Sequence, residues 1–583
     1  MDKLARLRGE MRTRGVAAYL VPRADEHLGE YVPPEAERLA WLTGFTGSAG
    51  LAVVLPVRAA LFVDGRYTIQ AAAEVDAQAW ELRHLIEQPA AKWLAKVLPK
   101  GALVGCDPML FSANQLAKFE EAGISLARIG DNLVDAIWAD RPRPLARAAV
   151  VHGLEYAGVE AAEKRAKIGA VLAAAGEDAA VLTDPASICW LLNIRGADVD
   201  FTPFLLAFAV VRASGEVTLI VDPAKISGDV RAWLGNQVAI RPRSELRACL
   251  AELSGLRVRV DQAASPAWFG DWLRESGATV MAGSDPCALP KACKNDVEQA
   301  GARSAHLIDA VAVCRFLHWL QAAHGETEIS AAARLLSFRA EGAGFRGESF
   351  PAISAAGPHG SIVHYRVSDA SNRTIGLGDV YLIDSGGQYA CGTTDITRTV
   401  WIGDGAPPLS VRADYTRVLQ GHLALGSIQF PEGVAGPHLD ALARAPLWRA
   451  GLDYDHGTGH GVGSYLSVHE GPAGISRAAK PVPLAAGMVL SNEPGFYPGD
   501  YGIRIENLVL VRKIEGTARK FLGFETLTLA PYDRRLIEVA MLSRDEIALV
   551  DVYHARVLAE VGERVPVDVD EFLKEACRPL LIA

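Results

Sequence analysis

The sequence predicts a multidomain chain of mixed class, two N-terminal α/β units of similar fold followed by an α+β unit. Three observations lead there. The length of 583 residues exceeds what one ordinary core organises. The first half twice runs through the same helix-then-strand pattern. From residue 295 onward the pattern changes, and the ionisable residues begin to fall inside apolar or Gly-rich runs.

Residues 1–145 form the first unit. An amphipathic helix leads into A-A-Y-L-V-P, and L-A-V-V-L-P and A-A-L-F-V-D-G-R-Y read as strands. W-L-T-G-F-T-G-S-A-G supplies the turn glycines, and the Pro-Arg cluster from Arg141 to Pro144 reads as a linker. Residues 146–292 form the second. Ala161 to Ala175 is helical, A-A-V-L-T-D-P is a strand with its turn, and L-L-A-F-A-V-V and V-T-L-I-V-D are buried strands. Residues 293–583 form the third. One long helix is expected over Asp296 to Ala323, with Leu307, Val311, Cys314 and Leu317 on one face. A second is expected from Glu328 to Glu341 with Thr327 as N-cap, then strands interrupted by helices near Leu409–Leu425 and His438–Ala450.

Composition removes several function classes. Half the residues are hydrophobic and 22% are charged, the balance of a globular chain rather than a disordered one. A net charge of −10 with no clustered Lys and Arg argues against a nucleic-acid partner. The eight cysteines are scattered without a C-x-x-C pair, so reduced buried thiols are expected. The opening M-D-K-L-A-R-L-R-G-E-M-R lacks the apolar stretch of a signal peptide. No run reaches the roughly 18 apolar residues of a membrane span. A cytoplasmic location without membrane association is the expectation.

The chemistry concentrates between Ile362 and Asn507. In D-V-Y-L-I-D, alternation puts Val380, Leu382 and Asp384 on one face, and Gly386-Gly387 with T-T-D-I-T-R-T predicts a hairpin bringing Asp395 near Asp384. Two such carboxylates repel unless a cation lies between them. D-S-G-G also suggests a nucleophilic Ser385, but no His base or orienting acid motif accompanies it, and Ile383 and Gln388 depart from the chymotrypsin-like pattern. In H-G-T-G-H-G-V-G, His456 and His460 stand among glycines, and His469 follows; G-x-G-x-x-G is not met. Glu493 ends an apolar strand before Pro-Gly. In Y-G-I-R-I-E-N, alternation places Arg504 and Glu506 together, for which a salt bridge is the ordinary reading. As a set, four carboxylates and one imidazole in apolar surroundings need counter-charge. A pair of divalent cations is the simplest source, and oxygen-rich ligation with one His suits Mn²⁺, Co²⁺ or Zn²⁺.

At these residues the sequence resembles the metallopeptidase family with the pita-bread fold (creatinase/aminopeptidase), which includes methionine aminopeptidase, prolidase and aminopeptidase P. Asp384, Asp395, His460, Glu493 and Glu506 match the family's ligands in order and motif. E-Y-V-P-P-E-A-E-R-L-A-W-L-T-G-F-T-G-S-A-G and I-C-W-L-L-N-I-R-G-A-D resemble the first and second domains of the long, three-domain aminopeptidase P subfamily. F-L-G-F-E-T-L-T-L-A-P-Y-D and the tail resemble its C-terminal extension.

The resemblance implies a metallo-aminopeptidase that hydrolyses the N-terminal Xaa-Pro bond of peptides by an activated bridging water. It also implies two divalent metal ions, with Mn²⁺ first and Zn or Co as alternatives, and a homodimer. Asp384 then binds one metal, His460 and Glu493 the other, and Asp395 and Glu506 bridge. Glu493 carries protons. His364 and His469 act on substrate, with His456 and Arg504 as substrate-side and carboxylate-orienting groups. One departure is His359, where relatives usually carry Asn. Its nearness in sequence to His364 suggests an effect on pH response or substrate access. A relative that has lost its metals, a binding module or a creatinase-like hydrolase, should show substitutions among the five ligands, and none is present.

Overall fold

The computed structural model describes residues 2–580. Two compact units divide the chain, one of Met1–Leu154 with Val159–Ala288 and one of Glu155–Gly158 with Leu289–Ala583.

The first unit holds two six-stranded sheets of identical design. In space, one runs Glu81–His84, Ala59–Val63, Leu51–Val54, Ala18–Pro22, Leu103–Cys106, Ser125–Arg128. The other runs Val238–Arg241, Val217–Ile220, Phe208–Arg212, Ala179–Leu182, Arg257–Val260, Thr279–Ala282. In both, chain order is 4-3-2-1-5-6, with antiparallel pairing on either side of the second strand and parallel pairing elsewhere. The central strands are buried on both faces, which explains why they read as unbroken apolar runs rather than alternating ones. The shared pattern bears out two α/β folds of one type. The run L-L-A-F-A-V-V is corrected in its start: the strand begins at Phe208.

In the second unit the predicted long helix spans Asp296–Leu320, three residues shorter than its apolar pattern. Asn295 opens it with a capping box, accepting from Val297 N at 2.9 Å and Glu298 N at 3.1 Å while Glu298 accepts from Asn295 N at 3.0 Å. Asn295→Ala is expected to cost about 1 kcal/mol, measurable as a lowered denaturation midpoint with unchanged cooperativity. Thr327 caps the next helix, Glu328–Ala340, as predicted. These helices, with Leu409–Ser427, Gly436–Trp448 and Arg544–Val561, cover two antiparallel sheets.

One sheet is three-stranded, in the order Ile353–Ala356, Val380–Ser385, Ile396–Trp401. The other runs Gln429–Pro431, Phe521–Thr526, Asn507–Ile514, Val489–Asn492, Gly459–Gly461, Glu470–Ile475. They meet at one isolated bridge, Thr397 to Glu506. Every candidate site residue lies on these sheets, on the two-stranded pair Gly495–Phe496 and Ile503–Arg504, or on the loops between them. Among the described residues no two of the eight cysteines form a disulfide, and no helix is long and apolar enough to cross a membrane.

Candidate metal centre and active site

The Val380–Ser385 strand delivers Asp384, and its partner Ile396–Trp401 is entered directly from Asp395. The predicted hairpin is more elaborate than a single turn, because two short strands, Gly387–Tyr389 and Gly392–Thr393, are inserted at its tip. Asp384 therefore faces Thr397 across the ladder, with Asp395 two residues earlier on the same strand face.

His460 sits in the short strand Gly459–Gly461, and the glycines flanking it are required by packing. A Cβ on Gly459 would lie 2.0 Å from Ser491 O, and one on Gly461 would lie 2.3 Å from Glu470 O. Only glycine lets the neighbouring strands close on either side of the imidazole. That neighbour, Glu470, is a buried carboxylate paired with Lys291 at 2.9 Å and with Lys294. Glu493 follows the strand Val489–Asn492, and its backbone N–H donates to Thr458 O at 2.8 Å.

Asp395, His460 and Glu506 each offer a ligand atom, and these atoms lie within 4.8 Å of one another. His460 Nε2 is 3.5 Å from Asp395 Oδ2 and 3.6 Å from Glu493 Oε1. Nδ1 donates to Gly461 O at 3.0 Å, so Nε2 is the nitrogen that faces the carboxylates and would ligate a cation once it gives up its proton. Asp384 borders the group. Its Oδ2 accepts from Arg504 Nη2 at 2.7 Å, while Asp384 Oδ1 and Asp395 Oδ1 are buried without a hydrogen-bond partner. Orphaned buried carboxylate oxygens are costly, and cations would satisfy them. The donor set, four carboxylates and an imidazole, fits hard or borderline divalent ions.

The electrostatics agree. Burial, then the charges of Asp395, Asp384 and Glu493, push Glu506 well above the ordinary carboxylate range. Burial raises Asp384 and Glu493 as well, against the opposing pull of Arg504 on the first and of His460 and Arg504 on the second. Burial disfavours charge on His460, but the hydrogen bond to Asp395 and the Glu493 charge prevail, lifting it to about 9. Each of these groups thus holds a proton more tightly than it does unfolded. The His460 contribution to metal-free stability is complete below its ordinary 6.5 and is lost as pH rises through about 9. Divalent cations compete with those protons. Mn²⁺ is therefore expected to raise the melting temperature more at pH 9 than at pH 6.5, as paired thermal melts would record.

The other site residues surround this group. Arg504 pairs with Asp384 and not, as its alternation with Glu506 suggests, with Glu506. The strand breaks between them: Ile503–Arg504 pairs with Gly495–Phe496, and Asn507–Ile514 pairs with Val489–Asn492. Glu506 is left at the junction, where Thr397 Oγ1 donates to its Oε2 at 2.7 Å. His456 Nε2 is 2.8 Å from Tyr497 Oη, and His469 meets the His460 ring edge-on at 4.3 Å between centroids. His364 follows Val363, whose carbonyl accepts from Arg504 Nη2 at 3.5 Å, so its loop abuts the same arginine. His359 lies 2.8 Å from Oε1 of the buried Glu328 and stacks on Tyr365 at 4.5 Å, serving the base of the His364 loop.

Three participants escaped the sequence reading. Thr397 bonds Glu506 and accepts from Arg504 Nε at 3.3 Å; Ser491 Oγ accepts from His460 N at 2.9 Å and lies 3.3 Å from Glu493 Oε1. Tyr497 joins Arg504, at 2.7 Å, to His456. Ser491 stands two residues before Glu493 and was reachable by alternation; Thr397 shares a strand face with Asp395, but its bond to Glu506 was not. Tyr497 lies beyond the Pro-Gly turn and carried no signal.

Comparison with known proteins agrees with this geometry. Residues 300–513 match the model of metallopeptidase family M24, and residues 520–580 the C-terminal region of peptidase M24. Residues 3–136 and 140–298 match two models of the creatinase/prolidase N-terminal domain. The chain belongs to metallopeptidase family M24 and has its pita-bread catalytic fold. Over its length it is similar to the probable Xaa-Pro aminopeptidase P of Aspergillus niger, 38% identical across 95% of this chain and 94% of that one. The X-prolyl aminopeptidase of Caenorhabditis elegans, described as a cytosolic enzyme with a di-nuclear active site, superposes with a TM-score of 0.94 at 36% identity, covering 99% of both chains. The Xaa-Pro dipeptidase of Bacillus anthracis is 25% identical with a TM-score of 0.53, covering 64% of this chain and 99% of its own.

Proposed function

We propose that this chain is a metallo-aminopeptidase that hydrolyses the bond between an N-terminal residue and a following proline. The observation that carries the reading is the pairing of the ligand cluster with end-to-end similarity to X-prolyl aminopeptidases. The dipeptidase accounts for 64% of the chain, the aminopeptidase for 99%.

Two divalent cations, when bound, would polarise the scissile carbonyl and lower the pKa of water. Asp384 would hold one, His460 and Glu493 the other, and Asp395 and Glu506 both. We assign Mn²⁺ to them, with Zn²⁺ and Co²⁺ as the competing metals.

The protein's own residues do the rest. Arg504 fixes the Asp384 carboxylate by a charge-assisted bond, leaving Oδ1 free for a ligand. Thr397 does the same for Glu506. Glu493, raised by burial, is the proton carrier between water and the leaving amine. His364, which precedes the cluster in sequence, and His469, which lies between His460 and Glu493, would bind the peptide and stabilise charge developing on its carbonyl oxygen. His456 is held by Tyr497 and would face the substrate side.

We place the domain boundaries at 1–145, 146–292 and 293–583. We assign the enzyme to the cytoplasm, as the Caenorhabditis elegans protein is described, and to a homodimer, with peptides rather than nucleic acid or membrane as partners.

The test is turnover of metal-stripped protein on an Xaa-Pro-Xaa tripeptide and an Xaa-Pro dipeptide, with and without Mn²⁺. Tripeptide cleavage restored by Mn²⁺, with the dipeptide spared, is expected. Preferential dipeptide cleavage would convert the assignment to a dipeptidase, and no metal-dependent cleavage would overturn it.

A further inference from the structure

Arg398 is among the most deeply buried side chains of the molecule, at 1% exposure. It stands three residues after Asp395 and points to the opposite side of the strand from Asp395 and Thr397. Among the described residues its guanidinium makes six hydrogen bonds, none to a carboxylate. Nη1 donates to Thr397 O at 2.9 Å and Glu506 O at 2.7 Å. Nη2 donates to Asn507 Oδ1 at 2.8 Å, Ala530 O at 2.7 Å and Tyr553 Oη at 2.9 Å, and Nε to Pro531 O at 3.2 Å.

Two features of this set matter. First, Thr397 and Glu506 form an isolated bridge between the two sheets, and one nitrogen of Arg398 holds both of their carbonyls. The spacing of Asp395 from Glu506 is set at that junction, since each side chain leaves the backbone within two residues of it. Second, the remaining acceptors belong to the segment that follows. Tyr553, on the helix Arg544–Val561, accepts from Arg398 and lies 2.9 Å from Ala530 O, to which its hydroxyl donates. The C-terminal region thus completes the guanidinium's shell.

A buried cation with only neutral acceptors is otherwise unfavourable. Here an acidic cluster lies one peptide away, and the positive field is felt nearby. Burial first, and then Arg398, hold His422 and His554 down to about 3.

We propose that Arg398 is a positioning residue for the shared cation ligands Asp395 and Glu506, and that the C-terminal region acts on the metal site through it. This rests on the metal-dependent reading above.

The test is calorimetric titration of metal-stripped protein with Mn²⁺, far below each variant's melting temperature. Wild type, Arg398→Lys and Tyr553→Phe are compared, with the exposed Val552→Ala as control. Arg398→Lys, which keeps the charge and loses the planar fork, is expected to weaken Mn²⁺ binding by about 10- to 100-fold. Tyr553→Phe should weaken it about three- to fivefold, and Val552→Ala should not change it. Folded variants that bind Mn²⁺ as wild type does, even with lowered melting temperatures, would overturn the proposal while leaving the peptidase assignment intact. If Arg398→Lys fails to fold, Tyr553→Phe decides alone. A wild-type protein that binds no Mn²⁺ would overturn both.

Discussion

Replacing Asp395 by alanine is expected to abolish turnover of Xaa-Pro peptides and stabilisation by Mn²⁺. The loss should exceed the roughly 10- to 100-fold that changes outside a ligand set cost. Asp395 is one of three residues whose ligand atoms lie within 4.8 Å of one another, and its Oδ1 is buried without a partner. Its charge is also the largest carboxylate contribution, after burial, to the raised pKa of Glu506. Removing it relieves repulsion in the metal-free protein. Above about pH 9, where His460 no longer draws stability from Asp395, the variant should therefore melt no lower than wild type without metal, and lower than wild type with Mn²⁺ present. Thermal melts in both conditions, beside a tripeptide assay, check this pair of opposite outcomes. Retention of more than about a tenth of the activity would place the site elsewhere, because a ligand cannot be worth less than the groups that orient it.

Arg504→Met is the second large effect. Arg504 is 2% exposed and bonds Asp384 Oδ2 and Tyr497 Oη, each at 2.7 Å. Deleting one partner of a buried ion pair costs about 3–5 kcal/mol when the other stays charged. Asp384 can escape by protonation, since burial already raises its pKa and Arg504 opposes that rise. Loss of Arg504 raises the folded-state value further. A group raised on folding stabilises below its unfolded pKa and stops doing so as pH climbs through the folded one. The deficit of the metal-free variant should thus grow between pH 5 and pH 8. Urea denaturation at the two pH values measures it. Activity should also fall, through Asp384 and through Tyr497, which then holds His456 without its own bond to Arg504. Arg504→Lys should recover part of the stability but little activity, because an ammonium cannot bond Asp384 and Tyr497 in one plane.

Much of this was legible in the residues. The paired α/β pattern was visible because strands buried on both faces are continuous apolar runs, as at Ala179–Leu182. The helix from Asp296 announced itself by its spacing and its capping Asn295. Asp384, Asp395, His460, Glu493 and Glu506 stood out because ionisable groups in apolar or glycine-rich settings need a reason. What alternation alone could not supply was register. Arg504 and Glu506 read as neighbours on one strand, yet the chain changes partner strands between them, sending one to Asp384 and the other to Thr397. Thr397 and Arg398 depend on Glu506, across more than a hundred positions of chain, and no local pattern encodes that meeting. Tyr497 was hidden for the same reason. The two insertions at the Asp384–Asp395 hairpin tip were missed because Q-Y-A-C-G-T is too short to show a period.

The central claim, that one carboxylate-rich cluster holds the catalytic cations of a proline-directed aminopeptidase, is tested most directly by anomalous diffraction from crystals grown with Mn²⁺. Two manganese peaks are predicted, one against Asp384 and one against His460 and Glu493, both touching Asp395 and Glu506. No peak at this cluster, or peaks only at other carboxylates, would contradict the account.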